Sequence, residues 1–150
     1  MIHRVAFGVL VDGERVLLCH RHPARALFPD VWDLPGGHIE ADETPADTLA
    51  RELAEELGVR VTRSAPLHTT VDVPGAETHA FVITGWEGEP TNLAPDEHDD
   101  IRWVTPAELA ELDLAVPEVA TLAAEAVAAV REQLGGVTAR HAEESATPGP

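Results

Sequence analysis

The sequence predicts an α+β domain, and three observations carry that prediction. Two short β-branched runs, "RVAFGVLV" (4–11) and "RVLLCHR" (15–21), stand near the N-terminus with a turn between them. A capped segment with apolar residues at helical spacing follows at 45–57. Further β-rich runs come next, and a second helical segment starts at Pro117. At 150 residues the chain has room for one domain with one core, expected over 1–134, with 135–150 as a disordered tail that has little to bury.

Asp12-Gly13-Glu14 is a hairpin signal, so 4–11 and 15–21 are expected to pair antiparallel. A loop leads to "VWDLPGG", a strand that Pro35 and the two glycines should end. Thr44 is placed as an N-cap, Pro45 as the first helical residue, Asp47 as the capping-box acid and Gly58 as the C-terminal stop. Ala46, Leu49, Ala50, Leu53 and Leu57 form the apolar stripe between them. "LHTTVDV" (67–73) and "THAFVITGWEG" (78–88) are expected strands joined across Pro74-Gly75, and "IRWV" (101–104) is a last one. Thr105-Pro106 opens a short helix. The helix from Pro117 should pack Val119, Leu122, Ala123, Ala126, Val127 and Val130 on the sheet.

All ten cations are arginine, set against 27 acidic residues, for a formal charge of -17. That field repels phosphate backbones and argues against long nucleic acid as a partner. A small anionic substrate needs a metal ion to bridge it to such a surface. The one cysteine, Cys19, lies in an apolar run and reads as a buried hydrophobe in a reducing cytoplasm. No signal peptide and no apolar run of roughly 18 residues are present, so neither export nor a membrane partner is expected.

The segment "RELAEELGV" (51–59) concentrates the chemistry. At about 100° per residue, Glu52, Glu55 and Glu56 share an arc of about 100° beside the apolar stripe. Carboxylates that close repel, and a divalent cation neutralises them. Oxygen ligands favour a hard ion, Mg2+ with Mn2+ as a substitute. Arg51, one turn before Glu55, is placed to orient it. A run of glutamates alone is more often a solvated helix face, but here it sits inside a longer pattern: Gly37, Glu43, then Arg51 through Val59.

That pattern resembles the signature of the Nudix hydrolases, the family of MutT-like pyrophosphohydrolases. "DLPGGHIE", "WEGEP" (86–90) and "EHDDIRWVT" extend the resemblance over about residues 3–132. It implies an α/β/α sandwich with a mixed β-sheet between helices. By the same resemblance the Gly36 carbonyl, Glu52 and Glu56 are metal ligands, Glu55 is a ligand or water-mediated partner, and Arg51 and Glu43 orient the catalytic helix. Glu97 is the further carboxylate on a loop, with Asp96, Asp99 and Asp100 close by. Glu52 or Glu97 is then the base that activates water. The implied reaction cleaves a phosphoanhydride of a nucleoside diphosphate linked to another group, with a nucleoside triphosphate, oxidised or not, as the leading substrate. ADP-ribose, a nucleotide sugar or a dinucleotide is the alternative. A non-catalytic nucleotide-sensing module is the reading from another class, and the intact glutamates argue against it.

Four residues are candidates for touching substrate: Arg21 and Arg25 for phosphates, Phe28 and Trp32 for a base, with burial the competing role for Trp32 and Trp103. His20 and His22 have no evident third ligand for zinc, and His38 is expected in solvent. "LDLAVPEVATL" lacks the asparagine with which MutT-like members read an oxidised guanine, and Asn92 is the only asparagine in the chain. Family members include dimers, but no exposed apolar stripe demands one, so monomer and homodimer both fit.

Overall fold

β1 (His3–Asp12) and β2 (Arg15–Arg21) form the predicted hairpin, in register at Val11–Val16 and Asp12–Arg15. The computed structural model describes residues 2–146, and side chains as far as residue 133. Away from the turn the two strands diverge and take different partners. β2 pairs antiparallel with β3 (Trp32–Asp33) and with β7 (His98–Val104). β1 pairs antiparallel with β4 (Gly36–His38) and parallel with β6 (Ala76–Glu87), whose outer edge carries antiparallel β5 (Arg60–Pro66). The parallel β1–β6 pair makes the sheet mixed.

Both faces of the central strands are covered, which is why "RVAFGVLV" reads as an apolar run rather than an alternating one. Ala6, Leu10, Leu17, Cys19 and Ile83 meet Leu49, Leu53 and Leu57 of α1 (Pro45–Leu57). Val9, Val11, Val16, Leu18 and Val82 meet Val119, Leu122, Ala123, Ala126 and Val127 of α2 (Glu118–Ala146). Each leucine in these layers is buried, contributing roughly 1.5–3 kcal/mol. The result is an α/β/α sandwich, with Cys19 and the predicted face of α2 inside it.

Three elements differ from the sequence reading. The strand expected at 67–73 is irregular; the strand beside β6 is β5, which starts two residues after the Gly58 cap. β5 is a mostly exposed edge strand, so polar residues fill it and it lacks an apolar period. The stretch 67–73 instead covers the sheet end: Val71 is buried, and the backbone N–H groups of His68 and Thr69 donate to the Glu125 carboxylate. Gly36 and Gly37 do not end a strand but form β4 against Phe7 and Ala6. The helix expected after Thr105 is a 3-10 turn at Glu108–Glu111. The backbone of α2 stays helical through Gly135, where the sequence reading ends the ordered domain; what packs there lies outside the described side chains. No described helix is long and apolar enough to cross a membrane.

Candidate active site

Fixed ends give α1 a fixed rotational phase. The Thr44 hydroxyl accepts from the Asp47 N–H at 3.1 Å, the Asp47 carboxylate accepts from the Thr44 N–H at 3.2 Å, and Gly58 ends the helix in the left-handed conformation (φ 70°). With the leucines on the sheet, Glu52 is turned against β4 and Glu56 toward the start of β7. A Cβ at residue 37 would stand 2.5 Å from Glu52 Cδ, and one at residue 36 would stand 2.0 Å from the Ala6 carbonyl oxygen. Only glycines let the chain run this close to both β1 and the glutamate.

Arg51 ties these parts together. Its Nε donates to Glu43 Oε2 at 2.7 Å and its Nη2 to Glu43 Oε1 at 2.9 Å, while Nη1 reaches Glu52 Oε1 at 2.9 Å and Glu55 Oε2 at 3.5 Å. Nη2 also donates to the His38 carbonyl at 3.3 Å. Glu43 further accepts from the buried Thr48 hydroxyl and from the Glu40 N–H. Arg51, with these hydrogen bonds, holds the Glu43 carboxyl down at about 2. Glu55 lies at the exposed rim of the network.

Glu56 is the buried member, only 5% exposed, and its Oε2 has no hydrogen-bond partner. Burial, and then the neighbouring carboxylates of Glu97 and Glu52, push its proton affinity far above the usual carboxylate range. Glu97 and His98 each bring one ligand atom to Glu56, all within 4.8 Å of one another. Burial lowers the His98 value, and its Nε2 approaches Glu56 Oε2 to 3.7 Å. The loop before β7 is fastened to the helix end: Leu93 N–H donates to the Glu56 carbonyl at 2.8 Å and Thr91 N–H to the Leu57 carbonyl at 3.0 Å. Of the loop acids, Glu97 is the one in this cluster. Asp99 accepts from His20 Nδ1 at 2.5 Å, and Asp100 pairs with Arg102.

The four substrate candidates separate. Arg21 spends its guanidinium on the Leu27 and Phe28 carbonyls, holding a loop in which Phe28 and Asp30 take positive φ (49° and 59°). The Arg25 side chain makes no hydrogen bond or ion pair among the described residues, and its charge reaches Asp33 and His98. Trp32 is buried, with Arg102 over its ring and the His20 edge against it. Phe28 is exposed at the mouth of a cavity of about 110 Å³ lined by Phe7, Asp33, Val71, Thr78 and Val116. A larger apolar hollow of about 660 Å³, beneath the 3-10 turn, has no part of the carboxylate cluster in its lining. His20 sits between Asp30 and Asp99, and His22 Nδ1 accepts from Ala24 N–H, so the two do not form a metal pair. His38 is exposed, as predicted.

Asp33 and His98 were not singled out in the sequence, and Asn92 was noted only as the chain's one asparagine. Asp33 is drawn inward, and burial raises its carboxyl to about 6 although its oxygen accepts from the Leu34 N–H. The strand alternation that predicted Trp32 and Leu34 inside would put Asp33 in solvent. His98 opens β7, and nothing in its spacing to Glu56 marks it.

A family model described as NUDIX domain matches residues 2–132. The chain belongs to the Nudix family. It is 34% identical over 90 residues to an 8-oxo-dGTP diphosphatase of Proteus vulgaris, covering 58% of this chain and 80% of that one. It is 33% identical over 127 residues to the CTP pyrophosphohydrolase of Escherichia coli strain K12, covering 83% and 90%. The MutT NUDIX hydrolase of Burkholderia pseudomallei shares its fold with a TM-score of 0.71 at 25% identity, over 83% of this chain and 98% of that chain. This Nudix chain is thus a hydrolase acting on phosphoanhydride bonds. Its acidic cluster is a candidate site for the divalent metal such enzymes need.

Proposed function

We propose that this Nudix hydrolase converts a nucleoside triphosphate, oxidised or not, to the monophosphate and pyrophosphate, with Mg2+ as cofactor and Mn2+ as a substitute. One observation carries the reading: Glu56 Oε2 is buried without a partner, beside the carboxylates of Glu52 and Glu97. A buried carboxylate among its like is stable either protonated or against a cation, and the cluster fits the second state. Gly36 through its carbonyl, Glu52 and Glu56 would hold the ion, with Glu55 acting through water and Glu97 reaching in from its loop. A bound ion of this kind withdraws charge from the phosphate chain and makes a water ligand more acidic.

The chain supplies the remaining parts. Arg51, itself fixed by Glu43, orients Glu52. Glu52 or Glu97 accepts the proton of the attacking water as its oxygen bonds to phosphorus. The bridging P–O bond between the α and β phosphates breaks, and the leaving phosphate oxygen keeps the electron pair. Arg25 meets the phosphates, and the hollow under Phe28 receives the base. The relatives named above support a triphosphate, since one is named for 8-oxo-dGTP and the other for CTP. Asn92 is engaged with His98, so no asparagine reads an oxidised guanine in this proposal. The same reading has the enzyme in the cytoplasm, as a monomer or homodimer, acting on small nucleotides.

The test is a panel of nucleoside triphosphates, nucleotide sugars, ADP-ribose and dinucleotides incubated with enzyme and Mg2+ and scored for released products. Monophosphate and pyrophosphate in equal amounts from a triphosphate, lost in Glu56→Gln with folding retained, support the proposal. Turnover confined to ADP-ribose or sugar nucleotides, or undiminished in the variant, refutes it.

A further inference from the structure

The carboxylate cluster contains a nitrogen atom that the signature does not account for. His98 is as buried as Glu56 and faces it with Nε2 at 3.7 Å from Oε2, beyond hydrogen-bond range. The imidazole is locked from behind. Asn92 Nδ2 donates to the His98 carbonyl at 2.7 Å, which fixes Oδ1 as the amide atom that faces His98 Nδ1 at 3.3 Å. The same Oδ1 accepts from the Ala94 N–H at 3.2 Å. Since Oδ1 can only accept, Nδ1 carries the proton and Nε2 presents its lone pair to Glu56 and Glu97. A ring nitrogen bound from behind by an oxygen acceptor, with its other nitrogen bare, is the arrangement of a metal-ligating histidine.

The spacing agrees. With ligand bonds of about 2.1 Å, two donor atoms 3.7 Å apart subtend about 120° at a shared ion. The orphaned Glu56 Oε2 is an independent sign that something belongs between these groups. We propose that His98 Nε2 is a metal ligand, completing with Glu56 and Glu97 a mixed nitrogen and oxygen site that still takes Mg2+ but binds a transition ion such as Mn2+, Co2+ or Zn2+ more tightly. The inference rests on the divalent-metal reading of the cluster given above and deepens it.

Pulsed electron paramagnetic resonance of the untagged full chain, with Mn2+ added below one equivalent, reads the ligand directly. The wild type is expected to show the modulation of a directly bound imidazole nitrogen, and His98→Gln, checked for folding by circular dichroism, is expected to lose it. Calorimetry should show the Mn2+ Kd rising about tenfold or more in the variant, with a smaller change for Mg2+. Asn92→Ala leaves the imidazole in place but unfastens it, and should weaken Mn2+ binding in the same direction should His98→Gln fail to fold. A wild-type spectrum without nitrogen modulation, or modulation that survives in His98→Gln, overturns the proposal. Triphosphate hydrolysis alongside an unmodulated spectrum sinks this inference alone, whereas a modulated spectrum without hydrolysis sinks the proposed reaction alone.

Discussion

Replacing Asp33 with asparagine removes a charge that the fold holds at a disadvantage. The carboxyl lines the cavity beneath Phe28 among mostly apolar side chains, with Arg21 Nη1 3.8 Å away, and burial outweighs that cation, so its folded value of about 6 stands above the ordinary 3.8. The sign follows from proton counting. Between about pH 4 and 6 the folded chain keeps a proton at Asp33 that the unfolded chain has lost, so wild-type stability falls as pH rises through that window and levels off above it. The difference spans roughly two pH units at 1.36 kcal/mol each, a penalty of about 3 kcal/mol at neutral pH. Asparagine keeps the oxygen that accepts from the Leu34 N–H and carries no charge at any pH. Urea unfolding of wild type and Asp33→Asn should give similar stabilities near pH 4 and a gap opening in favour of the variant to about 2–3 kcal/mol by pH 7.5. A gap that is independent of pH, or a variant less stable at pH 7.5, would refute the reasoning.

Three further outcomes are expected. Glu56→Gln, measured without added metal, should melt above wild type because it relieves burial and repulsion at one carboxylate, while its kcat falls by about a thousandfold. Glu43, held low chiefly by Arg51, contributes stability that is present above its ordinary 4.5 and disappears as pH drops toward 2. Thermal melts at pH 7, 4 and 2.5 should therefore show a steeper acid loss in wild type than in Glu43→Gln. Arg25→Ala should raise KM about tenfold with kcat little changed, since an arginine without an internal partner is positioned to bind phosphate rather than to brace the loop. The matching change at Arg21 should instead lower stability in urea titrations, because Arg21 holds the loop carbonyls.

Local signals were legible wherever a residue's role is decided by its near neighbours in sequence. The cap of α1, its stripe of leucines and the buried face of α2 all follow from spacing alone, and the structure places them accordingly. Arg51 and Glu43 are eight residues apart and meet because about two helix turns and a fixed cap bring them together. What was not legible depends on partners distant in the chain. β5 is a strand because β6 is beside it, not because "RVTRSAP" has an apolar rhythm. Asp33 is buried by residues from β1, β6 and the segment before α2, none of which its own strand announces. His98 acquires its place from Asn92 on one side and Glu56 on the other, a juxtaposition created only when the loop closes on the end of α1.

That closure bears on how the enzyme handles motion. Glu97 travels on a stretch of chain whose amides are pinned to the last turn of the helix that carries Glu56. The two acids therefore ride on a common body even though one belongs to a coil and the other to a helix. Any movement that separates them has to break those two amide anchors first.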